Sequence, residues 1–527
     1  MLFTTFHWRF THMPCHVSES MKFPQILVID LGSQYSQVIV RTIRELGVRS
    51  ALLSPIQAKK SLELYKPKGI IWSGGSASVY EKNSPQPPTE YLGKIPTLGI
   101  CYGMQYMAQY FGGKITKSKT LKEYGPRKAK FKKSLLFNGV SDSTVWCSHG
   151  DSVENIPAEF RIIASSDSCL ILAIESINSL LWGVQFHPEV THTDQGKKIL
   201  ENFIFQICKC EKDWKPANLI ENIRQEIYQK LPSYENVIIG FSGGVDSTTL
   251  TAILKPALRH RLITVTLDMG NLRFNEIHEI RANAKAAGEI NLIVIDASEK
   301  VLRLLSTTTD PEKKRELFKK VYIETLERIA HEYKAKYLIQ GSLAPDFIES
   351  GATGESSLIK SHHNIGLKTS LIQIHPFRSL FKYEVKELAR KLNLPKSIVE
   401  RHPFPGPGLF VRIKGAPVTR ESLDILRSAE AVVREILTES GEFEQISQLV
   451  VALYCTGDVG VKGDGRKQGY MISVKGVITR DFMTARCIQL KDKTRELITS
   501  VLPSRFPEIT NVVYNETPKP PATIEPE

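Results

Sequence analysis

Two short segments of this chain carry side chains whose types and spacing suit catalysis. The first is Ser242-Gly243-Gly244-Val245-Asp246-Ser247. An apolar run, Val237 to Phe241, precedes it, and a helix-like run, Ser247 to Leu254, follows it. Strand, glycine-rich turn and helix in that order build an anion cradle. Glycines let backbone N–H groups approach a ligand closely, and the helix N-terminus adds partial positive charge. The Walker pattern is excluded, because no Gly-Lys-Ser/Thr closes the loop. The second segment is Gly99-Ile100-Cys101-Tyr102-Gly103, again after an apolar run. Small residues flanking a nucleophile permit a strained strand-to-helix turn that exposes its side chain. The thiolate is the reactive form, so a base is needed. His187, in Gly183-Val184-Gln185-Phe186-His187-Pro188-Glu189, follows the strand-like run Leu180 to Phe186. Glu189 lies two residues on and can orient the imidazole as the third member of a triad. A lone cysteine is ordinarily core and a lone histidine ordinarily surface. Both at strand ends, in these contexts, point to catalysis.

The cysteine motif resembles that of the class I (triad) glutamine amidotransferases, which hydrolyse glutamine to glutamate and ammonia. The resemblance implies that Cys101 forms the thioester, that His187 is its general base and acid, and that Glu189 orients His187. Gly74 and Gly75, in Ile70-Ile71-Trp72-Ser73-Gly74-Gly75, match the family's oxyanion-hole loop. Backbone N–H groups there and at Tyr102 would face the developing oxyanion. Gln105 and the segment Ser148-His149-Gly150-Asp151 match its glutamine-contacting positions. The glycine-rich loop is similar to the pyrophosphate loop of the ATP pyrophosphatases, which react ATP at the α-phosphate and release pyrophosphate.

Joined in one chain, the two motifs resemble the glutamine-hydrolysing GMP synthetase family from about Gln25 to Glu527. Further matches are Asp30 to Tyr35, Lys360 to Asn364, Arg401 to Gly408, Gly463 to Lys467 and Lys519 to Glu525. The resemblance implies the reaction ATP + XMP + glutamine + water to AMP + pyrophosphate + GMP + glutamate. Adenylation turns O2 of XMP into a good leaving group, and ammonia then attacks C2. It places ATP on Ser242 to Ser247, Thr248 and Leu267, with Lys360 stabilising phosphate charge. Asp246 would position Mg²⁺, which neutralises leaving-group charge. XMP would meet Arg273, Gly406, Gly408, Lys519, Ile524 and Glu525, and a homodimer is implied. The chain departs from the family at Met269 (usually Asn), Gly457 (usually Arg), Asn511 and Asn515 (usually Arg and Asp) and Pro526 (usually Trp). A raised KM for XMP is the expected result of the last. Rival readings are an NAD synthetase, a tRNA-thiolating enzyme and a catalytically drifted paralogue. Cys101 and His187 in their contexts argue against the first and the intact triad against the last, while the second would need a sulfur-handling Cys and an RNA-binding module.

A chain of 527 residues is too long for one core and suggests about three domains. Hydrophobic content of 42% and charged content of 24% are those of a soluble globular protein. No apolar stretch approaches the ~20 residues of a membrane span, so a membrane partner is not expected. Eight cysteines are scattered without metal spacing. A reduced cytoplasm suits them and a cysteine nucleophile. The formal net charge is +13. Lys and Arg are spread along the chain and no RNA-binding motif stands out, so anionic small substrates rather than nucleic acid are the expected partners.

These residues need elements to hold them. Residues 1–20 show no clear period and no basic region followed by an apolar core, so they do not read as a secretory signal; a native start at Met21 and a disordered extension from Met1 are equally consistent. Strand-like and helix-like runs alternate from Ile26 to about Cys210, which predicts a parallel sheet with helices on both faces. Trp214-Lys215-Pro216 reads as a linker and Leu219 to Leu231 as a helix. A second α/β domain follows, with strands Val237–Phe241, Leu262–Leu267, Leu292–Ile295 and Tyr337–Gln340. A long charged helix between Asp310 and Ala335 reads as a solvated face. The last ~120 residues mix strands with helices after a Pro/Gly break. The fold class expected is α/β: two doubly wound, mostly parallel-sheet domains, at 21–213 (amidotransferase) and 214–404 (ATP pyrophosphatase), plus a C-terminal α+β dimerisation and XMP-binding domain at 405–527.

Overall fold

The computed structural model describes residues 23–33, 35–117, 123–177, 180–349, 369–462, 465–479, 485–519 and 521–526. The expected extension at 1–20, the start at Met21 and the candidate Lys360 lie outside the described residues. The rest forms two compact units. One holds the described residues through Leu31, Thr42–Pro188 and Asp194–Asp213; the other holds Gly32–Arg41, Glu189–Thr193 and the described residues from Trp214 on.

The first unit is built on strands β1 (Ile26–Ile29), β2 (Ser50–Leu53), β3 (Gly69–Trp72), β4 (Thr97–Ile100), β5 (Lys114–Lys117), β6 (Glu123–Phe131), β7 (Ser143–His149), β8 (Asp151–Asn155), β9 (Phe160–Ser165), β10 (Ala173–Ser176) and β11 (Leu181–Val184). Nine of these strands make one sheet in the order β2-β1-β3-β4-β11-β10-β9-β6-β7. The first five are mutually parallel. Strands β1, β3, β4 and β11 are buried at every position. Short unbroken runs such as Ile-Leu-Val-Ile are what a sheet covered on both faces requires. The remaining four strands extend the sheet antiparallel. Alternating runs alone did not distinguish that half, because antiparallel neighbours need only short turns whereas parallel ones need crossovers. The helices α1 (Ser36–Glu45), α2 (Pro55–Tyr65) and α3 (Tyr102–Tyr110) connect strands, and α4 (Gly196–Glu201) follows β11. α2 begins with Ser54 as cap, Pro55 in the first turn and Gln57 closing a reciprocal capping pair.

In the second unit β12 (Asn236–Gly240), β13 (Leu262–Asp268), β14 (Ile293–Asp296), β15 (Ala335–Ile339) and β16 (Ile372–Ile374) form an all-parallel sheet in the order β14-β13-β12-β15-β16. The chain begins in the middle at β12, winds outward to β14, then returns to the other side for β15. The topological switch therefore lies between β12 and β15, where open α/β sheets bind ligands at the carboxyl ends of their strands. Its helices are α5 (Leu219–Lys230), α6 (Val245–Leu258), α7 (Glu276–Ala286), α8 (Ser298–Leu305), α9 (Pro311–Glu332), α10 (Ala344–Glu349), α11 (Lys382–Lys391) and α12 (Lys396–Val399). The Trp214 linker is tied down, since its indole N–H donates to Glu384 Oε1 at 2.7 Å.

A third sheet carries β17 (Ile413–Lys414), β18 (Gln448–Lys462), β19 (Gly465–Ile478), β20 (Arg486–Cys487) and β21 (Ile509–Tyr514), covered by α13 (Arg420–Glu439) and α14 (Asp492–Arg505). One apolar core joins this sheet to the second: Met269, Leu305, Phe318, Phe410, Leu426 and Ile472 belong to it. The solvated-face reading of α9 fails at Lys314. That residue is 1% exposed, and its ammonium donates to the Ile413 carbonyl at 2.7 Å. The amphipathic stripe shows which face of α9 is charged but not what packs on it.

Candidate functional site

Strands β4 and β11 are parallel neighbours, with Ile100 opposite Val184. Cys101 follows the first and His187 lies three residues beyond the second, so the sheet brings thiol and imidazole to one edge. Cys101 heads α3 with φ 49° and ψ −104°, a conformation outside the ordinary regions for a residue with a side chain. Its N–H donates to Val184 O at 2.7 Å. The flanking glycines are required by close approach. A Cβ on Gly99 would sit 2.6 Å from the Gly103 carbonyl carbon, and one on Gly103 would sit 2.6 Å from Trp72 O. Cys101 and His187 are both buried, at 4% and 3% exposure. Gln185 Nε2 donates to the Cys101 sulfur at 3.6 Å, and the sulfur lies 3.9 Å from Ser148 O. Glu189 is also buried, but it is counted with the second unit.

The remaining expected residues of this site fall around it. A Cβ on Gly75 would lie 2.4 Å from Leu31 O and 3.3 Å from the Tyr102 ring. The loop is held by Ser73, whose hydroxyl accepts from Leu31 N–H at 2.9 Å and donates to Gly74 O at 2.8 Å. Gln105 is turned inward, donating to Asp151 O at 2.7 Å and to Gln185 Oε1 at 3.3 Å. His149 is buried with Nδ1 3.0 Å from Asp151 O. Gly150 has open space around its Cα. Sequence reading missed Gln185 and Ser73. Each sits beside a motif residue, and only its contacts show what it holds.

The glycine-rich loop follows β12 at the switch point and caps α6 with Gly244. It closes on itself: Ser247 Oγ lies 3.1 Å from Ser242 Oγ and accepts from Ser242 N–H at 3.2 Å. Gly243 adopts φ 68°, which favours glycine. Its carbonyl accepts from Arg401 Nη1 at 2.6 Å and from Asn283 Nδ2 at 2.8 Å. Val245 and Thr248 are buried inside the turn, while Leu267, on β13, packs into the core. Asp246 Oδ2 accepts from Lys382 Nζ at 2.6 Å. Sequence reading missed Lys382; a lysine opening a helix, where the dipole disfavours it, was the available signal. Asp246 Oδ1 is buried without a hydrogen-bond partner among the described residues. An unsatisfied carboxylate oxygen beside a glycine-rich turn at a helix N-terminus fits Mg²⁺, which binds through one or two carboxylates and substrate phosphates. Among the described residues no group of three or more His, Cys, Asp or Glu could hold a metal unaided.

The XMP-side candidates split into two groups. Arg273 is 8% exposed, pairs with Glu276 at 2.7 Å and lies 4.6 Å over the Phe404 ring. Gly406 O accepts from Asn271 Nδ2 at 2.9 Å. Gly408 has φ 60°, and a Cβ there would meet Asn271 O at 2.2 Å. Burial, with Arg273 and Arg434 nearby, pushes His402 down to about 4, so it adds no charge here near neutral pH. The tail residues lie on the third sheet. Ile524 packs with Val450, Val477 and Ala485, and Lys519 pairs its backbone with Ala485. Glu525 is held internally: Arg412 donates to it through Nε at 2.9 Å and Nη2 at 2.8 Å, and Gln448 donates at 2.6 Å. The departures are accommodated. Met269 is core, Gly457 takes φ 70° in open space, Asn511 donates to Asp458 at 3.0 Å, Asn515 Oδ1 accepts from Thr517 N–H at 3.2 Å, and Pro526 O accepts from Lys414 at 2.9 Å.

Comparisons with known proteins place the chain among named families. Residues 27–207 match the model of the class-I glutamine amidotransferases, 236–351 that of the arginosuccinate synthase N-terminal HUP domain, and 435–526 that of the GMP synthase C-terminal domain. The chain is 40% identical over 521 residues to the GMP synthase [glutamine-hydrolyzing] of Photorhabdus laumondii, covering 95% of this chain and 98% of that one. It is likewise 40% identical over 513 residues to the protein of that name from Caldanaerobacter subterraneus, covering 96% and 99%. With the one from Colwellia psychrerythraea the identity is 40% over 528 residues, covering 97% and 100%.

Proposed function

The chain belongs to the glutamine-hydrolysing GMP synthase family, and from that premise we propose how its residues divide the reaction. The Cys101 thiol attacks the glutamine amide, with His187 taking and returning the proton and Glu189 orienting the imidazole. Backbone N–H groups at Gly74, Gly75 and Tyr102 face the oxyanion. The ammonia released aminates XMP at C2 after ATP has adenylated O2, yielding GMP, AMP and pyrophosphate. The Ser242 to Ser247 loop cradles the pyrophosphate, and the Thr248 turn and Leu267 shape its surroundings. Lys360 adds positive charge. Mg²⁺, held by Asp246, neutralises charge on the leaving pyrophosphate when bound. Arg273, Gly406, Gly408, Lys519, Ile524 and Glu525 form the XMP side. We assign residues 405–527 to dimerisation and place the enzyme in the cytoplasm as a homodimer. Among the described residues no helix is long and apolar enough to cross a membrane.

The single observation that carries this reading is the strained Cys101 turn at the carboxyl ends of the parallel strands of one mixed sheet, in the same chain as a glycine-rich loop at the switch point of another, all-parallel sheet. Cys101→Ala tests it. Glutamine-driven GMP formation is expected to vanish and ammonia-driven formation to persist. A variant that still used glutamine would remove Cys101 from the mechanism.

A further inference from the structure

A chain of charged contacts in the second unit runs between the glycine-rich loop and the arginines near the C-terminal tail. Glu276, the first residue of α7, is 4% exposed. Its Oε1 accepts from Arg273 Nη2 at 2.7 Å and from Arg401 Nη2 at 2.5 Å, and its Oε2 accepts from Arg273 N–H at 2.8 Å. Arg401 reaches Glu279 at 3.3 Å and, through its other nitrogen, the Gly243 carbonyl at 2.6 Å. On the far side, Arg273 and Arg412 lie 4.6 and 5.1 Å from the centre of the Phe404 ring. Arg412 in turn holds Glu525.

One carboxylate thus serves two buried guanidiniums, and the supply of acceptors is incomplete. Arg273 Nε and Arg412 Nη1 are both buried without a hydrogen-bond partner among the described residues. Unsatisfied buried donors on charged groups are costly, and an arriving anion with several acceptor oxygens relieves them. Burial raises the Glu276 carboxyl, but Arg273 and then Arg401 outweigh it and hold it below the ordinary carboxylate value. Glu276 is therefore charged, and Arg273 and Arg401 share that one charge through Oε1.

We propose that Glu276 and Arg401 are positioning residues that couple the two nucleotide sites: an anionic nucleotide drawing on Arg273 leaves the charge of Glu276 to Arg401 and so strengthens the hold Arg401 already has on the Gly243 carbonyl, ordering the loop for ATP. The proposal rests on the reading above, in which XMP lies on the Arg273 side. Coupling of this kind is reciprocal and spans about 5- to 150-fold in affinity. XMP should raise the affinity of the full chain for a non-hydrolysable ATP analogue with Mg²⁺ by about 10-fold, and the analogue should raise XMP affinity equally.

Titration calorimetry of each ligand with and without the other reads the factor. In Glu276→Gln it should fall to within about twofold of unity, because a neutral amide cannot accept from both guanidiniums with full charge. Arg401→Lys should do the same, since one ammonium cannot reach both Glu276 and Gly243 as a planar fork does. Asn283→Ala loosens the same Gly243 carbonyl outside the chain of contacts. It should weaken the analogue with and without XMP and leave the factor intact. The proposal is overturned if both ligands bind the wild type independently, if a folded Glu276→Gln keeps the factor, or if Asn283→Ala loses it equally. Should Glu276→Gln not fold, Arg401→Lys decides by the same criterion. Failure of the wild type to bind either ligand would sink the functional reading together with the coupling. Independent binding would sink the coupling alone.

Discussion

Gly75→Ala should separate ammonia production from ammonia use. The added methyl would sit 2.4 Å from the Leu31 carbonyl oxygen, whereas carbon–oxygen contacts settle near ~3.3 Å. About 0.9 Å must therefore be found. Leu31 cannot yield it readily: it is fully buried, and its N–H is fixed to Ser73 Oγ at 2.9 Å. Ser73 is pinned in turn, its N–H donating to Ile29 O at 3.1 Å. The loop carrying the Gly74 and Gly75 N–H groups moves instead, by about the distance that takes a donor out of reach of an oxyanion. Losing one such donor costs roughly 3 kcal/mol, or ~10²-fold in kcat. The crowding itself should cost ~1–3 kcal/mol of stability. The assay compares glutamine hydrolysis and GMP formation from ammonium salts in one preparation, with thermal unfolding alongside. Glutamine-driven rates should fall about 100-fold, with ammonia-driven rates within twofold of wild type. Hydrolysis within threefold of wild type would refute the oxyanion assignment, and an equal loss of both activities would show that the substitution acts through the fold.

Three further outcomes follow from buried charges. Asp246→Asn, or chelation of divalent cations in the wild type, should suppress both glutamine- and ammonia-driven GMP formation by ~10²-fold or more, yet leave labelling of Cys101 by a glutamine-like affinity reagent unchanged. Glu525→Gln leaves the Arg412 guanidinium, 1% exposed, without its counter-charge; unfolding of the second unit should shift by about 3 kcal/mol, measured by urea titration, with a raised KM for XMP. Glu289 is buried, and although burial raises its carboxyl, hydrogen bonds from Lys255 at 2.6 Å and Thr264 at 2.7 Å leave it lowered overall. A carboxyl lowered in the folded state stabilises above its unfolded value of about 4.3 and loses that contribution as pH falls through the folded value. The stability gap between wild type and Glu289→Gln should thus be full near neutral pH and close below about pH 4, as followed by urea midpoints.

Local chemistry was legible from sequence because its causes are local. Gly99 stands where a Cβ would strike the backbone of Gly103 one turn away, although Gly103 itself is cleared for Trp72 on a neighbouring strand, and the apolar run before Ser242 is a buried strand because it is continuous. The capping residues of α2 and α9, Ser54 and Asp310, follow the same logic. The positions of β12 to β15 along the chain could be placed for the same reason: each contains a short apolar run with its helix beside it in sequence; their order in the sheet could not. The antiparallel half of the first sheet was not legible, since its pairings depend on which edges remain open after the parallel half forms.

Partners of buried charges belong to tertiary structure. Lys382 meets Asp246 across 136 residues, Arg401 meets Glu276 across 125 and Arg412 meets Glu525 across 113. No spacing rule links residues that far apart. A charge inside a protein must be paired, but sequence does not say with which partner, because the choice falls to whichever opposite group the packed elements bring within hydrogen-bond distance. Lys314 is the plainest case: its charge suggests a wet position, yet it shares the buried stripe of α9 with Phe318 and Val321, and β17 offers its ammonium the Ile413 carbonyl. Sequence by itself determined the two reactive turns and the strands that carry them. Only the fold decided which cations and carboxylates face those turns, because electrostatic pairing acts through space, where chain distance has no bearing.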